Sequence, residues 1–155
     1  MQTIELDGFD RAIIDALQRD GRLTNVELAE RVNLSPSACL RRTRMLEESG
    51  IVAGYAMLLD HKVCGKPGNA LVMVSLDQQG RQTLSKFEEA VQEIPEIMEC
   101  YLLAGQADYF VHIVFADAED FERIHTDILT QLPGVVRVQT TLSLRTVKKT
   151  TVVKL

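Results

Sequence analysis

Apolar residues recur at helical spacing through the first sixty positions and switch to an alternation of strand and helix patterns after residue 68. Phe9, Ile13, Ile14 and Leu17, spaced four, one and three apart, predict one inward helical face, with Asp7 as its cap and Gly21 as its stop. Thr24 followed by Glu27 forms a capping box, in which hydroxyl and carboxylate each take an orphan N–H, so a second helix starts there with Leu28, Ala29 and Val32 inward. Asn33-Leu34 reads as a tight turn. Ser35-Pro36 then supplies a cap and a proline at the first helical position, where the missing N–H costs nothing. The third helix runs to Gly50 with Cys39, Thr43 and Leu46 inward, and Gly50 suits a left-handed closing residue. The apolar stretch Ile51 to Leu59, with Gly54 and Tyr55 inside it, has the length of a small two-stranded wing.

The second half reads strand, helix, strand, strand, helix, strand. Ala70 to Leu76 is the first strand, and Leu84, Phe87, Val91 and Ile94 mark a helix from Arg81 stopped by Pro95. Ile97 to Ala104 and Tyr109 to Ala116 form a hairpin around Gly105-Gln106-Ala107-Asp108. Asp117 caps a helix with Phe121, Ile124, Ile128, Leu129 and Leu132 inward, ended by Pro133-Gly134. Val135 to Arg145 alternates, with Val136, Val138, Thr140, Leu142 and Leu144 on one face. That order is the ferredoxin-like βαββαβ arrangement, an antiparallel sheet with both helices on one side. The first strand is apolar on both faces, with Leu71 and Met73 on one and Val72, Val74 and Leu76 on the other, so the uncovered face is expected to pair with a second copy. The overall expectation is an α+β chain. A helical domain spans 1–60, a Gly- and Pro-containing linker covers 60–68, and a sheet domain spans 69–155.

Composition narrows the class. The 155 residues are 46% hydrophobic and 25% charged, which describes a folded globular chain. The net charge is -5, so any nucleic-acid contact must come from a local basic patch. No stretch suits a membrane span, and the polar, acidic opening Met1 to Asp7 does not resemble a secretory leader. Three scattered cysteines, none in a C-x-x-C pair, leave the cytoplasm as the expected compartment.

Such a patch exists. Residues 1–60 carry seven arginines, no lysine and ten acids, yet Arg41, Arg42 and Arg44 fall within four positions on the third helix. Three short helices followed by a wing describe a winged helix-turn-helix, whose third helix enters the major groove of double-stranded DNA. Opposite Cys39, Thr43 and Leu46 lie Ser37, Arg41 and Arg44, with Arg42 on the flank. Arginine offers a rigid fork for guanine or phosphate. Ser35, Pro36 and Ser37 open the helix where free N–H groups and hydroxyls meet phosphate. Thr24 and Asn25 sit at the preceding helix start, suited to backbone contacts that fix register. The competing reading is a solvated basic face balanced by Glu47 and Glu48.

These residues carry a resemblance. Asp20 to Ala29, Asn33 to Arg42 and Leu46 to Ile51 resemble the DNA-binding domain of the Lrp/AsnC (feast/famine) regulators. Pro95 to Cys100, Ala104 to Tyr109 and Leu132 to Val135 resemble that family's ligand-sensing module. Thr43 departs from the aliphatic residue usual at its position. The resemblance implies dimerisation through the sheet, assembly into octamer-like rings and a small effector, usually an amino acid, bound between subunits. Leu102, Gly105, Gln106 and Asp108 would line the pocket, with Ala118, Thr141, Leu142 and Ser143 at positions tied to effector response. A zwitterion needs an acceptor for its ammonium and donors for its carboxylate, and the Gly105 to Asp108 loop offers both; the rival role for Asp108 is closing its own turn.

No catalytic constellation appears. Cys39 faces inward, Cys64 and His61 lie in the linker, and Cys100, His112 and His125 fall on core-forming elements. No metal spacing, phosphate loop or dinucleotide fingerprint is present, so no cofactor is expected. Lys148, Lys149 and Lys154 read as a solubilising edge strand. Two other readings stand beside the regulator: an allosteric amino-acid-binding subunit of an enzyme, and an architectural DNA-coating protein without sequence preference.

Overall fold

Two carboxylates start the first helix. In the computed structural model, which describes residues 5–155, the Asp7 carboxylate accepts from the Asp10 N–H at 2.9 Å and the Asp10 carboxylate accepts from the Asp7 N–H at 3.2 Å. The reading of the polar opening falls, for residues 1–4, outside that range. This reciprocal cap begins α1, Gly8–Arg19. α2, Asn25–Arg31, opens on the Thr24–Glu27 box, and α3, Pro36–Glu48, on Ser35, whose hydroxyl accepts from the Ala38 N–H at 3.3 Å. Between them Asn33 takes a left-handed φ of 55°, a conformation Asn tolerates. The Leu34 N–H then reaches back to the Ala29 carbonyl at 2.9 Å. Gly50, at φ 80°, follows α3 as the spacing predicts.

Ile13, Ala16, Leu28, Ala29, Val32, Cys39 and Leu46 close the core of this unit. Thr43 is half-buried beside this core, and its hydroxyl donates to the Cys39 carbonyl one turn back at 3.0 Å, which satisfies the polar group on that side. Phe9, expected inward, is 44% exposed, with the Arg42 guanidinium 5.4 Å above its ring. Residues 51–59 contain no strand; Val52 packs on the helical core and the Tyr55 hydroxyl donates to the Glu47 carboxylate at 2.9 Å, so the stretch engages the helices and not a second strand. The terminal Lys148–Leu155 folds with this unit rather than with the sheet. Its Val153 exchanges two hydrogen bonds with the Gln18 side chain, at 3.0 and 2.6 Å. The edge strand expected at the terminal lysines is absent; the tail has no regular structure.

The second unit, Leu59–Val147, contains β1 Gly68–Leu76, α4 Arg81–Gln92, β2 Ile97–Leu102, β3 Tyr109–Phe115, α5 Ala118–Arg123 and β4 Val135–Leu142. The sheet order is β2-β3-β1-β4, antiparallel throughout, as the βαββαβ order requires. Ala70, Val72, Val74, Tyr109, Val111 and Ile113 meet Phe87 and Val91 of α4 and Ile124, Leu129 and Leu132 beyond α5. The other face leaves Leu71, Met73 and Tyr101 exposed.

Two details depart from the simple periodicities. α5 widens into a π turn over Ile124–Ile128 and tightens over Leu129–Gln131. Ile124 and Leu129, five positions apart, would diverge by about 140° on a regular α-helix, and the wide turn lets both be fully buried. In β4 a register shift at Ser75/Leu76 pairs Leu76 with Val135. Val135 therefore packs on the core beside Val138, and Val136, which strict alternation would put on the Val138 face, is 64% exposed.

Candidate nucleic-acid interface and sensor residues

Of the residues expected at DNA, most are occupied in building the helix-turn-helix. Thr24 Oγ1 donates to Glu27 Oε2 at 2.7 Å, and the Asn25 side-chain amide donates to the Pro36 carbonyl at 2.8 Å, tying the start of α2 to the start of α3. The two caps and this cross-link set the angle at which α3 is presented. Ser35 is engaged with the Ala38 N–H and lies 3.3 Å from the Ser37 hydroxyl.

The three arginines divide by direction. Arg42 turns toward α1, where one of its terminal nitrogens lies 2.8 Å from both Asp7 and Asp10. The hydrogen bond from the Asp10 N–H, joined by the one Arg42 donates, holds the Asp7 carboxyl below the usual carboxylate range. Arg41 and Arg44 point outward, exposed, and with Ser37, Leu40, Met45 and Glu48 they line a shallow depression on α3. Arg41 also reaches the Met45 sulfur at 3.8 Å. Adjacent positions on a helix differ by 100°, which is enough to send Arg42 to an intramolecular acid pair and Arg41 to solvent. Leu40 belongs to the same face, and its place three residues after Ser37 and four before Arg44 is readable from spacing.

In the sheet unit the expected sensor residues fall into two groups at opposite ends. Leu102 pairs with Tyr109, which pairs with Val74 near the end of β1. Leu142 pairs with Ala70 near its start, and the Ser143 N–H donates to the Asn69 carbonyl at 2.9 Å. Four strand residues, roughly 13 Å, separate the two rows. Ala118 follows the end of β3 where Phe115 pairs with Gly68, so it belongs to the second group.

Asp108 is 8% exposed, and its carboxylate is already engaged. One oxygen accepts from the Leu76 N–H and the other from the Gln79 side-chain amide, both at 2.7 Å, so the residue closes the loop against the end of β1. Gly105 and Gln106 beside it are exposed, as are Leu102, Ala118, Thr141 and Leu142. A second polar cluster escaped the sequence reading: Arg123 holds Glu96 at 2.7 Å and Asp120 at 2.8 Å. The Arg123 guanidinium keeps the buried Glu96 carboxyl below its ordinary range. Cys100 is half-buried, and burial, helped by Glu88, pushes its thiol up to about 11, opposite to what a nucleophile needs.

Comparison with known proteins assigns both units. Residues 6–53 match a winged helix-turn-helix DNA-binding model, and residues 69–153 match the Lrp/AsnC ligand binding domain. The chain is 37% identical over 147 residues to the transcriptional regulator AzlB of Bacillus subtilis, covering 95% of this chain and 94% of that protein. It is 37% identical over 145 residues to the leucine-responsive regulatory protein of Escherichia coli, covering 94% and 88%. Among solved structures, the L-Met complex of a transcriptional regulator from Neisseria meningitidis superimposes with a TM-score of 0.91 at 39% identity over 95% of each chain. Among the described residues no helix is long and apolar enough to cross a membrane. With two modules in this order and relatives matched along nearly its whole length, the chain belongs to the Lrp/AsnC family of DNA-binding transcriptional regulators.

Proposed function

We propose that α3 reads duplex DNA through Arg41 and Arg44, with Ser37 at phosphate, and that Thr24, Asn25, Ser35, Pro36 and Arg42 hold the helix in the presenting geometry. One observation carries this reading: on a chain of net charge -5, two outward arginines share one exposed ridge while the third neutralises the acids behind it. The test is a salt series of mobility shifts on the protein's own upstream region. Log affinity falls with log salt at about 0.9 per neutralised phosphate, and Arg41→Ala or Arg44→Ala weakens binding by about 1–3 kcal/mol and relaxes sequence preference, as loss of a base contact does. A slope near zero removes the reading, and equal competition by unrelated DNA turns it into the architectural alternative.

The sheet unit, in this reading, joins two copies through its open face and binds an amino acid between them, acting in the cytoplasm without an enzymatic step. Exposed Leu71, Met73 and Tyr101 give that face an apolar centre, and Met57, Leu58 and Leu59 add a second exposed apolar run suited to further assembly, up to octamers. The separation of the two groups of sensor residues supports a site completed only by a neighbouring protomer. Names of relatives suggest the effector: the solved Neisseria regulator holds L-Met, and other relatives are leucine-responsive. A thermal-shift screen of the twenty amino acids, with leucine and methionine first, tests this. Stabilisation by none of them removes the amino-acid assignment and leaves the DNA reading untouched.

A further inference from the structure

The outward face of α3 is not wholly polar. Leu40 is 38% exposed and lines the same depression as Ser37, Arg41 and Arg44. Single exposed leucines are common on protein surfaces. This one has a defined setting: it sits one turn from Ser37 on one side and from Arg44 on the other, at the edge of the arginine ridge. Among the described residues it is no member of the unit's hydrophobic core. Met45, on the opposite edge, has its sulfur engaged by Arg41 at 3.8 Å. Leu40 is also the fifth residue of α3, in the N-terminal half of the helix, which is the part that meets base edges when such a helix enters the major groove.

A leucine side chain offers no hydrogen bond, so it cannot read the donors and acceptors of guanine, adenine or cytosine. The major groove presents one apolar group, the 5-methyl of thymine. We propose that Leu40 is a specificity-determining residue that packs on a thymine methyl beside the bases met by Arg41 and Arg44, so that the preferred half-site places a thymine next to guanine. The inference rests on the reading of α3 as the DNA-binding helix and goes beyond it by naming the base. An arginine alone accepts any neighbour of its guanine; Leu40 adds discrimination at the next position without adding charge.

Uracil replaces thymine with loss of the methyl alone, so the test leaves the protein fold untouched. The full-length protein is titrated against its upstream duplex and against versions in which each thymine in turn is uracil. One substitution per half-site is expected to weaken wild-type binding about fourfold, the equivalent of one methyl group of ~0.8 kcal/mol at 1.4 kcal/mol per tenfold. Leu40→Ala, and Leu40→Gln as a polar substitute of similar reach, are expected to bind the thymine and uracil forms of that site equally. Indifference of the wild type to every uracil, or an undiminished uracil penalty in both variants, overturns the assignment of Leu40 while DNA binding itself stands. Failure of the wild type to bind any duplex overturns the α3 reading and this inference together.

Discussion

Arg42 holds Asp10 at 2.8 Å, and the same guanidinium nitrogen holds Asp7 at the same distance. One side chain of α3 thus closes the acidic start of α1, and the ring of Phe9 lies beneath it. Arg42→Ala is expected to lower the melting temperature and to weaken DNA binding only as far as folding is lost. Arg44→Ala is expected to weaken binding with the melting temperature unchanged. An Arg42→Ala protein that melts normally but no longer shifts DNA would place Arg42 on the duplex instead.

The open sheet face makes its own prediction. Met73 is 42% exposed at the centre of β1, on the side away from the helices, so its replacement disturbs no core. Met73→Asp would set two carboxylates against each other across a two-fold interface. Sedimentation should show monomers where the wild type forms dimers or larger species, with circular dichroism unchanged; dimers that survive the substitution would move the interface elsewhere.

Asp108 and Gln106, two residues apart, should separate stability from sensing. Asp108→Ala strands the buried Leu76 N–H, which costs about 1–3 kcal/mol and should appear as a lower melting temperature without any effector. Gln106→Ala removes an exposed side chain. It should leave the unliganded melting temperature alone while reducing stabilisation by the effector. Equal behaviour of the two variants would contradict the division.

The Glu96–Arg123 pair gives a pH dependence with a definite sign. Because the folded Glu96 carboxyl titrates below its ordinary range, its contribution is fully present above the unfolded glutamate value, near 4.3. It is lost as the pH falls through the lower folded value. Thermal melts between about pH 6 and pH 3 should therefore show less acid sensitivity in Glu96→Gln than in the wild type. A parallel pair of curves would show that the coupling contributes nothing.

Gly134 tests the turn before β4. It sits at φ 76°, its carbonyl accepts from the Asp77 N–H at 2.8 Å, and an added Cβ would lie 2.8 Å from Thr83 Cγ2. Gly134→Ala should destabilise the sheet unit by about 1–2 kcal/mol from the left-handed backbone alone, and by more where Thr83 cannot yield. Chemical denaturation reads the change directly, and a neutral result would mean that the turn relaxes.

How far the sequence reaches depends on the range of the interaction involved. Capping boxes, the Ser-Pro start, Gly50 and the βαββαβ order were all legible in the chain itself, because caps and periodicities are set within a few residues and the order of elements restricts the sheet to few topologies. The inward position of Thr43 was legible too, although the Cys39 carbonyl that satisfies its hydroxyl was seen only in the structure. Contacts between distant segments were not legible. The packing of α3 across α1 decided that Arg42 meets acids while Arg41 and Arg44 face solvent. The pairing of β3 with β1 brought Asp108 to the Leu76 N–H, and the shift in β4 exchanged Val135 for Val136 at the core. Strand register also placed Thr141 and Leu142 at the far end of the sheet from Leu102. Sequence spacing assigns a residue to a face of its own element; which groups that face then meets is fixed only when elements far apart in the chain close on one another.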